Sequence, residues 1–495
     1  SVLWNQLMEL DGYGKVNDFY GKAGFSYLFN QNHSIGAYYT NGFKNSDLIQ
    51  RGGSRVTADG VAYDELFVDV REKSKTMPKH HANLYYSGQA GKLGIDFNMD
   101  FMWQKSTSDL LNNESSGNFE DAKVSSATTN HSRLFAEKLV LSYPVWKGGI
   151  EFGQEYTSSR FATDYTTDAS MLASAASRVD ESNIAGFVEL SQQFGMWNVA
   201  AGLRYEHVAF RYLENGRRRD DMDRTYDNIF PSLSVATRVG DAQLALSYTH
   251  KTQRPSYSDL DGTIDYVNRF TFEGGNPYLK PEKIHNVQLS GAWSYFFGQL
   301  SYSYKKDPVL STTVPYGEDG EVKLITSENF PKIQKLEAFV GGQFRVGVWQ
   351  PKVNAGIIKQ WLSIDYDGGR MRLDNPIGLV QLQNAVHLPG DVWLNVDLQW
   401  MSGGNGENCK ISSTSYVNAK LYKAFFNNSF SVTVEANDIF NKNISDVVLY
   451  NKDVTLFKST QTTSRTFQLT LQYTFNVTRD RYKGRGAGQT EIDRF

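Results

Sequence analysis

Several segments alternate strictly between apolar and polar residues. Between residues 466 and 475, Phe467, Leu469, Leu471, Tyr473 and Phe475 interleave with Thr466, Gln468, Thr470, Gln472 and Thr474. The same rhythm sets Val392, Leu394, Val396, Leu398 and Trp400 against Trp393, Asn395, Asp397 and Gln399. It returns in Ile95, Phe97, Met99, Phe101 and Trp103, and again in Phe430, Val432, Val434 and Ala436. Successive side chains on a strand point to opposite faces, so each segment predicts a strand with one apolar and one polar face. Each is about as long as the ~9–11 residues of a tilted strand crossing a bilayer. Apolar faces tend to finish on aromatic rings, among them Trp103, Tyr156, Tyr205, Tyr248, Trp293, Trp400 and Tyr473. Such rings favour the boundaries where lipid meets water.

Connection lengths carry a second, independent signal. Tight turns are expected near 30–33, 91–93, 145–148, 194–196, 240–242, 296–298, 347–350, 389–391 and 427–429. Long polar stretches alternate with them at 107–131, 163–181, 213–227, 253–282, 403–413 and about 441–463. Outer-membrane barrels have short periplasmic turns and long extracellular loops. The pattern therefore predicts an all-β fold: a transmembrane antiparallel β-barrel over residues 1–476, followed by a periplasmic tail over 477–495. About 19 strands are clear from residue 14 onward, with a weaker candidate at 2–10, which makes about 20. Both termini are expected in the periplasm.

Composition narrows the alternatives. Aromatic residues make up 14% of the chain, and no run approaches the ~18 apolar residues of a membrane-spanning helix. A net charge of -3 with scattered Lys and Arg gives no footprint for nucleic acid. The one cysteine, Cys409, excludes a disulfide framework.

From Arg254 the chain reads RPSYSDLDGTIDYVNRFTFEGGNPYLKPEKIHNVQLSGAW. This segment resembles the signature of TonB-dependent outer-membrane receptors, in particular the Bacteroidota-type barrel family. The matching positions are Arg254, Pro255, Tyr257, Gly275, Asn276, Pro277, Leu279, Pro281 and Glu282. Later, EANDIFNKN is similar to that family's penultimate strand, RTFQLTLQYTF to its closing strand, and YKGRGAGQTEIDRF to its ending. The resemblance covers roughly residues 130–495 well. It implies a barrel of about 22 strands, a plug domain outside this chain, and energy coupling through periplasmic TonB. Outer-membrane lipid surrounds such a barrel, and a surface lipoprotein is a possible further partner. The implied function is uptake of a scarce nutrient; the alternative is a passive channel without a plug.

Catalytic chemistry is not indicated. No nucleophile elbow, phosphate-cradling loop or zinc-protease helix is present. His80–His81 reads as a pair of exposed imidazoles, and Asp220, Asp221 and Asp223 as a solvated loop beside Arg217–Arg219. Inward polar residues Glu151, Glu155, Arg204, Glu206, Asp397 and Glu435 are expected to wet the lumen and contact a plug. Neither a metal site nor a cofactor is expected.

Overall fold

The computed structural model describes residues 2–317, 321–444, 446–452, 454–461, 464–475 and 482–495. Most of the chain forms one sheet of 24 strands. Its wall is built from long staves, each antiparallel to the next. The first eight are β1 (Trp4–Asn30), β2 (His33–Ala58), β3 (Val61–Ala90), β4 (Leu93–Ser116), β5 (Ala122–Val145), β6 (Gly148–Thr167), β7 (Ala175–Phe194) and β8 (Trp197–Glu214). Then come β9 (Arg224–Val239), β10 (Ala242–Gln253), β11 (Glu282–Trp293), β12 (Phe296–Lys306), β13 (Lys332–Gln343) and β14 (Trp349–Trp361). The last are β15 (Ile377–Leu388), β16 (Val392–Met401), β17 (Thr414–Phe425), β18 (Phe430–Asn437) and β19 (Thr466–Tyr473).

The alternation in the sequence sets the two faces. Phe467 is 76% exposed and Leu469 65%, with Leu398 also exposed, forming an apolar belt on the outside. Such a belt is the lipid-facing surface of a transmembrane barrel. Trp146, Trp197, Trp293, Trp349 and Phe426 stand exposed at the ends carrying the tight turns, where a girdle of rings marks the periplasmic interface. The tight turns fall where the pattern predicts them, one of them at 294–295, just before the expected 296–298.

Three expectations are revised. The weak candidate at 2–10 is the outer end of β1 rather than a strand of its own, because Trp4–Leu28 pairs continuously with β2. Trp4 accordingly lies at the extracellular end, opposite the Asn30–His33 turn, so the start of the described chain is not periplasmic. Second, the polar stretches 107–131 and 163–181 are largely strand: β4 continues to Ser116, β5 starts at Ala122, and β6 continues to Thr167. Outside the bilayer both faces meet water, so a strand there keeps its ladder without apolar alternation. Opposite charges facing across strands support it, as Arg51–Asp69 and Arg55–Glu65 do at 2.9 Å each. Third, residues 482–495 do not hang below the barrel but run up its inner wall.

The stave order has a consequence at the seam. Counted from β1 to β19 there are 19 staves, an odd number, so the first and last both run toward the periplasm. Among the described residues no ladder joins them. The outer part of β1, Trp4–Asp11, pairs in parallel with strand Val454–Gln461 from a loop hairpin, while β19 pairs only with β18.

Leu469→Arg, in the belt, is expected to cost ~2–4 kcal/mol, whereas the inward Gln468→Arg stays within about 1 kcal/mol. Urea titration of the protein folded into vesicles checks the pair; equal costs would contradict the assigned faces.

Candidate functional site

The lumen holds two elements contributed by the chain itself. The first is a cap. Strands Ile264–Asn268 and Thr271–Gly274, from the long connection after β10, pair with Val309–Tyr316 and Val322–Asn329, from the connection after β12, in a four-stranded sheet. This sheet is pinned across the outer mouth. On one side Asn112 donates to the Val267 carbonyl at 2.7 Å, Thr271 to Gln6 at 2.7 Å, and Arg269 pairs with the buried Glu114. On the other, Asn408 donates to the Ser311 carbonyl at 2.6 Å and Asn451 to that of Thr313 at 2.7 Å. Its Tyr266 and Phe272 pack on Val124, at the outer end of β5, and on Ala169, just after β6.

The second element is segment 482–495. The Tyr482 ring sits edge-on to Tyr85 at 4.6 Å and to Tyr38 at 5.2 Å, and its hydroxyl meets Asn83. The Arg485 amide donates to Asn98 at 2.9 Å and the Gly488 amide to Asp100 at 3.0 Å. A Cβ at Gly488 would lie 2.8 Å from the Ala136 methyl, so only glycine passes this close to the wall. The segment ends in a single helical turn, Gln489–Ile492, and then enters a buried ionic cradle.

The cradle is made by β7 and the residues just after β10. Glu181 accepts from Arg254 Nη1 at 2.6 Å and from the Arg494 guanidinium, whose Nη2 lies at 3.2 Å. Arg254 reaches on to Glu491, and Arg494 Nε donates to the Pro255 carbonyl at 2.9 Å. The Arg494 guanidinium stacks over Tyr257, 4.2 Å from the ring centroid, and the Tyr257 amide donates to the Arg494 carbonyl at 3.0 Å. Tyr257 is fully buried, and its hydroxyl meets Ser159. Burial pushes the Glu491 carboxyl up, against the pull of Arg254 and Arg494. Phe495 completes the apolar side by packing on Tyr257 and Phe161, within the cluster that also holds Val179, Phe210 and Leu279.

The motif residues thus divide. Arg254, Pro255 and Tyr257 hold segment 482–495. Gly275 to Glu282 build the cap's attachment. A Cβ at Gly275 would fall 2.2 Å from the Asp261 carbonyl oxygen, which explains glycine there. Asn276 donates to the Ser327 carbonyl at 2.9 Å, Pro277 lies against Gly262, and Leu279 is buried in the cluster. Glu282, also buried, accepts from the Val309 amide at 2.7 Å and from Lys305 at 3.3 Å. No specific contact accounts for Pro281.

Of the inward polar residues, three form one network: Arg204 bonds Glu206 at 2.6 Å and Glu155 at 3.4 Å, with Lys138 3.5 Å from Glu155. Glu435 pairs with Lys420 at 3.1 Å on another part of the wall. Asp397 and Glu151 make no ion pair among the described residues. The acidic loop is neutralised in place: Arg218 binds Asp223 and Asp220, and Arg219 binds Asp221 and Glu214. His80 stacks on Trp103 at 5.0 Å, while His81 turns inward to Asp100 at 3.1 Å. Among the described residues no group of His, Cys, Asp and Glu has the geometry to hold a metal ion. Sequence reasoning did not single out Glu181, Glu491, Arg494 or Asp100. Glu181 stood in a stretch read as loop, though its parity along β7 already marks it as inward.

An antiparallel wall with a lipid-facing belt, aromatic girdle and polar lumen defines an outer-membrane β-barrel of transporter size. The model of the outer membrane protein beta-barrel family matches residues 87–473, and the chain belongs to that family. Its place is the bacterial outer membrane. A comparison with curated proteins finds no match. Solved structures are similar in fold. The copper transporter OprC superposes with a TM-score of 0.60 at 12% identity, covering 94% of this chain and 81% of its own. The FrpB iron transporter of Neisseria meningitidis (F3-3 variant) gives 0.54 at 12% identity, covering 95% and 81%. The ferric yersiniabactin uptake receptor FyuA of Yersinia pestis gives 0.54 at 12% identity, covering 87% and 74%.

Glu181→Ala leaves Arg494 without a carboxylate partner and Arg254 with Glu491 alone, and breaking a buried pair in this way costs ~3–5 kcal/mol. Segment 482–495 should then become cleavable by added protease while the wall stays intact; unchanged protection would contradict the cradle's role. A second expectation concerns Asp265, in the cap. Desolvation, then the carboxylates of Asp261, Glu273 and Glu72, raise its carboxyl to about 6. A raised acid stabilises the folded cap fully below its unfolded value of ~3.9, and that contribution is lost as pH rises through about 6. Amide protection factors across 264–274 should therefore be higher near pH 5 than near pH 7.5, and Asp265→Asn should remove most of the difference.

Proposed function

We propose that this chain is the barrel component of a TonB-dependent uptake receptor that imports a scarce nutrient across the outer membrane. The observation that carries this reading is the capped mouth. A passive channel has no use for a sheet pinned across its entrance from two sides, whereas a receptor needs a surface that captures ligand and a barrier that opens only on demand. The structural neighbours, an iron transporter, a copper transporter and an uptake receptor, and the TonB-receptor signature at Arg254–Glu282 support the same direction.

The seam fits this reading. Two edges that run the same way close into an antiparallel wall only with an odd number of strands between them, one or three. Three brings the wall to the 22 of plugged outer-membrane transporters. Unpaired backbone groups of β1 and β19 facing hydrocarbon would cost several kcal/mol each, so further strands, in this polypeptide or a second one, are expected there together with a plug. The polar network of Glu155, Arg204 and Glu206 is the kind of surface that would hold it. TonB would reach the plug from the periplasm, and a surface lipoprotein would cover the extracellular end.

Two measurements test this. Native mass spectrometry of the receptor purified from its own membrane should give a mass well above the 55.9 kDa of this chain. Uptake by whole cells should collapse when the proton gradient is dissipated. Passive flux that persists without energy, through a species of 55.9 kDa alone, would replace the receptor with an open channel.

A further inference from the structure

The outer face of β4 to β8 carries a cluster of basic side chains above the apolar belt. The registers place Trp103, Arg133, Arg160, Asp180 and Arg211 side by side across five strands. One row further out, Lys105, His131, Ala162 and Arg178 follow the same line. These side chains point outward, because their neighbours along the strands, Leu134, Ser159 and Glu181, are buried on the lumen side. A cleft of about 450 Å³ opens between Arg133, Arg160, Arg178, Arg211, Phe101 and Phe135.

The charges are not balanced internally. Asp180 accepts from Arg160 at 2.6 Å and from Arg178 at 2.5 Å. Arg133 and Arg211 make no hydrogen bond or ion pair among the described residues. Arg133 stands directly opposite Arg160 in the ladder, and like charges so placed are destabilising unless an anion lies between them. Glu137 lies four residues below Arg133 on β5, and Asp164 two residues above Ala162 on β6.

Height identifies the anion. The row just below consists of Phe101, Phe135, Ser158, Ser182 and Ala209, the next of Met99, Glu137, Tyr156, the exposed Ile184 and His207, and two rows lower stand Ile95, Leu141, Phe152, Val188 and Leu203. Tyr143 and Trp146, near the β5–β6 turn, mark the periplasmic side. Arg133 is about 12 residues above that turn, which at ~3.3 Å per residue along a strand tilted ~45° spans close to the ~30 Å hydrocarbon thickness. The patch therefore sits at the headgroup level of the outer leaflet, with the rings of Phe101 and Phe135 directly beneath it and the apolar row from Ile95 to Leu203 deeper in the bilayer.

We propose that this patch binds the phosphate of an outer-leaflet glycolipid, with Arg133 and Arg211 as its unpaired donors and Arg160 bridging them. Guanidinium forks suit phosphate oxygens through paired, charge-assisted hydrogen bonds. The site is independent of the lumen and of the uptake reading, since it uses only the outer face of the wall.

The test uses the full receptor in detergent, titrated with diphosphoryl lipid A or its dephosphorylated counterpart and read by native mass spectrometry. One-to-one binding of the phosphorylated lipid is expected, with little binding of the other. Each arginine near an anionic surface contributes about fivefold, so Arg133→Gln with Arg211→Gln should weaken binding by about 25-fold. Replacing both with Lys should keep much of the affinity, which separates loss of charge from misfolding. Equal binding of both lipids, or no change in the Gln variant, would overturn the proposal. Full displacement by inorganic phosphate at the lipid's own concentration would overturn it too, since the site would then serve free phosphate.

Discussion

Everything in this molecule follows from one requirement: backbone N–H and C=O groups inside hydrocarbon must find partners within the protein. A lone strand cannot meet it, and a sheet meets it only where each edge is covered. The wall from β1 to β19 satisfies it stave by stave, through an unbroken series of antiparallel ladders. The same requirement makes the seam between β1 and β19 the informative place in the wall. Two parallel edges constrain what can lie between them far more tightly than a count of strands alone would.

The second organising force is electrostatic and acts on the inside. A wide polar lumen leaves charged side chains half-dehydrated, and they are stable there only when paired. Glu181 between Arg254 and Arg494 is the densest case, with two cations on one carboxylate and Glu491 drawing Arg254 from the far side. This arrangement ties the cap, through Tyr257 and Phe495, to a segment that descends to Tyr482 near the periplasmic end. A continuous chain of contacts thus joins the extracellular cap to the lower half of the lumen.

Much of this was legible in the sequence. The alternation around Leu469 and Leu398 gave the faces, because membrane strands have a lipid side and a wet side. The short turns were legible because two-residue connections need special residues. The long outer stretches were misread because period-2 patterning disappears when both faces meet water: Thr107 to Ser116 looks like loop and is ladder. Segment 482–495 was misplaced for a different reason. Its contacts, from Tyr482 with Asn83 to Arg494 with Glu181, join residues about 300 to 400 positions apart, and no local pattern encodes such pairs. The Arg254–Tyr257 motif was recognised as a signature, but its partner could be seen only in three dimensions.

The staves are unequal in length, and this shapes the approach to the mouth. β1 to β5 run 24 to 30 residues, while β11 to β19 run 8 to 13. At ~3.3 Å per residue the longest is nearly 100 Å of continuous strand, far more than the bilayer needs. One side of the barrel therefore rises as a stiff parapet above the cell surface, and the other stays low under shorter hairpins. A large particle descending on the cap meets a lopsided harbour: sheltered by a breakwater on one flank, and open to traffic on the other.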